Sequence, residues 1–226
     1  MVAYDATAGG ADRARPFFVA TIAGIALYVV LDAVAQSLPP HYSPISQAES
    51  DLAVGPYGYV MAVNFVNRGL FSLLFLYGLT RSLPSNAGLR TGFGLLGMWA
   101  VGSLILALSP TDVRGPVTVH GLVHLVVATL AFLGAAFGTL SLSRTFSRDP
   151  ALKDLRYAMH LAILASVFFF VLYGGPAVFP HAAAEVGGLV ERVFIGLVLT
   201  WILAVSATML RRSSPNVNSK PTAANP

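Results

Sequence analysis

Two histidines, His120 and His124, stand four residues apart in TVHGLVH, residues 118–124. That spacing puts both on one face of a helix. Their ring nitrogens could then hold one metal ion from a single element. Asp112, in the preceding SPTDVRG, would add a carboxylate oxygen. Zinc takes nitrogen and oxygen donors without cysteine, which this chain lacks. An ion bound this way would keep a position for water and make that water more acidic. The residues between the histidines are Gly121, Leu122 and Val123, so there is no general base of the HExxH kind. The pair therefore reads first as hydrogen-bonded histidines in a polar network. No cofactor is expected, and zinc is the one that His120, His124 and Asp112 could hold. Haem is disfavoured, because His160 falls at the opposite end of its span from His120 and His124, and axial ligands must meet at one depth.

The elements that must position these residues follow from composition. The chain has 226 residues, 55% hydrophobic and 11% charged, where a soluble domain carries about a quarter charged. So few charges cannot cover a water-facing surface. The expectation is an all-α polytopic membrane protein. Six apolar stretches are long enough to cross the bilayer, at about 16–38, 57–80, 92–109, 118–143, 157–178 and 188–210. Proline- and glycine-rich segments separate them. This predicts a segment 1–15, a six-helix transmembrane domain 16–210, and a polar, disordered tail 211–226. The first apolar run has no small-residue cleavage motif after it and reads as a retained helix.

The net charge of +4 reads as topology and not as nucleic-acid binding. Eleven of the 14 Lys and Arg fall in segments that alternate with the loops 39–56, 110–117 and 175–187, and those loops hold only Arg114. Basic residues stay cytoplasmic, so both termini are expected there. The GAAFG of residues 134–138 has the small-xxx-small spacing of close helix packing.

This orientation places most intramembrane ionisable groups in the outer half. Asp32 lies near the outer end of span 1, Glu49 and Asp51 in the first outer loop and Asp112 in the second. His120 and His124 open span 4, and Glu191 and Arg192 open span 6. Arg68 lies deeper in span 2, beside Asn64 and Asn67. Such groups are costly in lipid, so they face protein or water and are paired. Asp32 is one expected partner for Arg68. Glu191 and Arg192 point about 100° apart on a helix, so each needs a partner elsewhere. Asp51, Arg68, Asp112, His120, His124, Glu191 and Arg192 are the expected lining of an outward-facing pocket. Its arginines would meet an anionic lipid headgroup or small polar ligand. A metal-dependent lipid hydrolase using His120, His124 and Asp112, with Asp51 as a further ligand or base, is the alternative. A proton-coupled transporter is the third reading.

SDLAVGPYGYV (50–60), SPTD (109–112), HGLVH (120–124) and GLVERV (188–193) occur in this order. Together they resemble the bacterial and archaeal membrane family catalogued as domain of unknown function 998. The pattern matches at Ser50, Asp51, Gly55, Pro110, Asp112, His120, Gly121, His124, Gly188 and Arg192. It departs at Glu191, where many members carry glutamine, and at Tyr59, where they carry tryptophan. The resemblance implies a six-helix protein of a bacterial or archaeal plasma membrane, with no established activity. The layout is also distantly similar to ceramidase-like membrane hydrolases, although the HxxxH here is on span 4 and not on the last helix.

Overall fold

A computed structural model describes residues 7–39, 41–113 and 115–212. Six α-helices account for most of them: α1 (Thr7–Ser37), α2 (Gly58–Ser82), α3 (Ala87–Leu106), α4 (Val119–Arg148), α5 (Ala158–Val178) and α6 (Pro180–Arg212). Two short 3₁₀ segments, Glu49–Ala53 and Pro150–Leu155, lie between them. All six helices are long and apolar enough to cross a membrane. The tail beyond Arg212 and the first six residues lie outside the described residues, as does Arg114 of the second loop.

The helices exceed the expected spans where flanking polar residues extend them. α1 starts before residue 16 and runs through Pro16, and α4 continues to Arg148. The expected loop 175–187 is corrected. α5 runs through Pro176 to Val178, and α6 starts at Pro180. Only Phe179 breaks the path, with its N–H donating to Gly175 O at 2.7 Å. Proline at the first helical position suits the start of α6, where its missing N–H leaves no bond unmade.

Each helix packs on its neighbours in sequence, and α6 returns to α1, which closes a six-helix ring. The α3–α4 seam is the most extensive, and the α4–α5 and α6–α1 seams are the sparsest of the six. At the tightest seam, Gly134 and Gly138 of the GAAFG segment lie against α3. A Cβ on Gly138 would stand 2.7 Å from Leu96 N, and one on Gly134 would overlap Leu95 O. The motif serves packing within the chain, where small residues let helices approach in a solvent that offers little hydrophobic drive.

Aromatic side chains fill the ring. Trp201 stacks on Phe146 at 6.2 Å and donates to Ser143 Oγ at 2.8 Å. Phe132, Phe169 and Phe194 form a further cluster. Val29, Val30, Leu125, Val126 and Phe170 are exposed on the outside, a distribution suited to lipid and not to water. α2, α4 and α6 end on Arg81, Arg148 and Arg212 at one end of the bundle. The opposite end carries residues 38–39 and 41–57 and is here called the loop end.

Candidate functional site

The deep arginine of α2 organises the loop end. Arg68 is 1% exposed. Its Nε donates to Ser103 Oγ on α3 at 2.9 Å, and its guanidinium lies over the rings of Trp99 and Phe65, at 4.3 and 4.9 Å. Its carboxylate partner is Glu49, with Nη1 to Oε2 at 3.9 Å, and not Asp32, which accepts from Gln36 one turn along α1 at 2.6 Å. Two asparagines tie α2 to α1 beside it. Asn64 donates to Tyr28 O at 3.2 Å, and Asn67 donates to Gly24 O at 2.9 Å.

Glu49 reaches this depth because the first loop folds back into the ring. The 3₁₀ turn at Glu49–Ala53 carries it, and its side chain is almost wholly buried. The Tyr28 hydroxyl donates to Oε1. Burial pushes the Glu49 carboxyl above its ordinary range, with Arg68 opposing the shift. From α6, the Glu191 carboxylate accepts the main-chain N–H of Glu49 at 3.1 Å. Glu49 and Tyr28 were absent from the residues expected at the site. Glu49 looks like a solvated loop residue in SQAESDLA, and the only pointer to it is the need of Arg68 for a carboxylate.

Arg192 follows Glu191 but turns away, and it holds the loop. Its Nη1 donates to the carbonyls of Pro44, Gln47 and Gly188 at 3.0, 2.9 and 3.2 Å. Its Nη2 donates to the Tyr42 hydroxyl. Burial raises the Tyr42 phenol to about 12, against the opposing effect of Arg192, so it stays protonated. Leu189 N donates to Ile45 O at 2.8 Å, and Gly188 lies so close to Gln47 that a Cβ there would overlap its carbonyl. The loop is thus clamped to α6 along its main chain.

The histidine pair divides. His124 is buried, and its Nδ1–H donates to Ser109 O at 2.6 Å, which fixes the ring between α3 and α4. His120, one turn earlier, is exposed. Asp112 clasps the start of α4. Its Oδ2 accepts from Thr118 N at 2.7 Å and its Oδ1 from Thr118 Oγ1 at 2.9 Å, while Thr118 Oγ1 caps Gly121 N at 3.0 Å. Gly121 is required here, since a Cβ would overlap the Asp112 carboxylate. His120, His124 and Asp112 are therefore not assembled as metal ligands. Among the described residues, no group of three or more His, Asp or Glu could hold one ion. Asp112→Ala should cost about 1–2 kcal/mol, the scale of a lost helix cap. It should also raise hydrogen exchange in the first turn of α4; unchanged exchange there would remove the capping role.

Five of the seven expected lining residues fall into two adjoining cavities. A vestibule of about 730 Å³ is bounded by Tyr42, Asp51, Thr111 and Asp112. Burial raises the Asp51 carboxyl, and its hydrogen bond with Ala48 opposes the shift. Beneath the vestibule, and sharing Thr111, lies a cavity of about 250 Å³ whose walls include Arg68, His124, Tyr173 and Glu191. Leu125, Ala128 and Phe132 of α4 and Leu172 of α5 also line it, at one of the sparse seams of the ring. Arg192 and His120 line neither cavity. Arg192 is spent on the loop, whereas Arg68 lines the deeper cavity with its Nε bonded to Ser103 and its Nη1 3.9 Å from Glu49.

A closed ring of six apolar helices around a buried charged cluster defines a multi-pass membrane protein. The chain belongs to the family described as protein of unknown function (DUF998), whose model matches residues 22–208. No curated protein and no solved structure matches the chain.

Proposed function

We propose that the protein binds an amphiphile drawn from the surrounding membrane, with the polar group of the ligand in the cavity of about 250 Å³. One observation carries this reading. Buried Arg68, His124 and Glu191 share their cavity with Leu125 and Tyr173, which are exposed on the lipid-facing side of α4 and α5. A cavity that is polar inside and borders on lipid fits a molecule with a polar head and an apolar tail. In this reading the loop end faces outward, both termini are cytoplasmic, and the host membrane is a bacterial or archaeal plasma membrane. The segregation of basic residues supports that placement.

Filling the cavity tests it. Ala128 lies on the cavity wall in α4, and Ala128→Trp would occupy the space a ligand needs. Wild-type protein purified in a mild detergent should carry a native amphiphile detectable by mass spectrometry of the extracted lipids. The A128W variant should carry about a tenth as much or less, at an unchanged melting temperature. Equal retention by both proteins would end this reading.

A further inference from the structure

On the wall of this cavity, Arg68 is ion-paired with Glu49 at 3.9 Å, gives its Nε–H to Ser103 and lies against two aromatic rings. The Nδ1–H of His124 is given to Ser109. Glu191 is 9% exposed, and one of its oxygens accepts the Glu49 N–H. Among the described residues no donor is hydrogen-bonded to its Oε1. Glu191 is thus a buried carboxylate, on the wall of a cavity, with an acceptor to spare.

The charged groups acting on Glu191 are Glu49, Arg68 and Arg192, so with Glu191 the cluster holds two acids and two bases. Phe65, Phe132 and Tyr173 also line the cavity, and aromatic faces attract a cation and not an anion.

A second space begins at the same residue. An apolar groove of about 360 Å³ runs between the facing ends of α5 and α6, past Val171, Gly175, Phe179, Ala183 and Val186. Leu172 and Glu191 line both this groove and the cavity. The carboxylate therefore stands where a polar space and an apolar one meet.

We propose that Glu191 is the counter-ion for a protonated amine, and that the ligand is an amine-headed amphiphile whose alkyl chain lies in the α5–α6 groove. The ammonium donates to Glu191 Oε1. This rests on the amphiphile reading above and names its headgroup.

The test measures binding to full-length protein in maltoside micelles by isothermal titration. The probes are dodecylammonium, dodecanol, dodecanoate and butylammonium. Wild-type protein should bind dodecylammonium about tenfold or more tighter than dodecanol or dodecanoate, because a charge-assisted hydrogen bond in a buried site is worth that much. Butylammonium should bind at least about tenfold more weakly, since it has no chain for the groove. Glu191→Gln keeps an oxygen for the Glu49 N–H but removes the charge. It should erase the preference for dodecylammonium over dodecanol. The ranking of ligands on wild-type protein needs no variant, so the proposal stays testable if E191Q folds poorly. A preference for dodecanoate, or an E191Q variant that keeps the amine preference, overturns the amine assignment. Butylammonium binding as tightly as dodecylammonium overturns the groove as the seat of the chain. If A128W removes dodecanoate binding from a protein that prefers dodecanoate, the cavity reading survives and the amine assignment alone fails. If no probe binds wild-type protein, both fail.

Discussion

Replacing Arg68 with leucine should destabilise the protein by about 3–5 kcal/mol, the cost of leaving one member of a buried ion pair unmatched. Leucine fills much of the same volume and suits an apolar interior, so the loss is not one of packing. It comes from Glu49, which is 2% exposed and would have to bury an unmatched charge or take up a proton, with only the Tyr28 hydroxyl to face it. Ser103 would also lose its donor from Arg68, although its own hydroxyl still bonds Trp99 O at 2.7 Å. The double variant Glu49→Leu with Arg68→Leu removes both charges and should recover most of the lost stability, since an apolar pair in place of a buried ion pair is often neutral. Unfolding by a denaturing detergent, titrated into maltoside micelles, measures both. An R68L variant as stable as wild type would show that the pair contributes nothing. A double variant no better than R68L would show that Glu49 is not the group left stranded.

Hydropathy made the six spans legible, because a bilayer imposes length and apolarity on every crossing segment. It placed the ends of the spans less well. Gly174, Gly175 and Pro176 read as a loop by the rules of soluble proteins, yet α5 runs through them. Membrane helices tolerate glycine and proline where neighbours satisfy the freed backbone groups. Depth counting gathered Arg68, His124 and Glu191, which share one cavity wall. It put Glu49 in the first outer loop but not in the pocket, because its depth is set by a loop that re-enters the ring, and re-entry has no periodicity to read. The histidines show the opposite failure. Spacing put His120 and His124 on one face, but His120 sits in the first turn of α4, where the ring has no wall left to bury it. Asp112 taken alone reads more readily as a cap for the start of α4 than as a ligand, and its bonds to Thr118 are those of a cap.

Arg192 should prove to be the latch of the re-entrant loop. Replacing it with leucine removes donors from the carbonyls of Pro44 and Gln47 and from the Tyr42 hydroxyl. Hydrogen bonds to a charged group are worth about 1.5–3 kcal/mol each. Even one such loss would speed local opening by about tenfold, and several together by about a hundredfold or more. Hydrogen exchange at residues 41–50 should rise by that factor, while exchange in the middle of α3 and α4 stays as it was. Arg192→Lys separates geometry from charge. A lysine keeps the positive charge next to Glu191, but one ammonium cannot reproduce the fork that reaches two loop carbonyls and a phenol. R192K should therefore behave like the leucine variant in the loop. Gly188→Ala should loosen the same segment by a different route, since its Cβ would press on Gln47. Because Glu49 rides on this loop, the latch also holds the ion pair in place. R192K and G188A should thus share part of the R68L defect, and combining either with R68L should cost less than the sum. Strict additivity, or an R192K loop as protected as wild type, would mean that Arg192 bonds the loop without holding it.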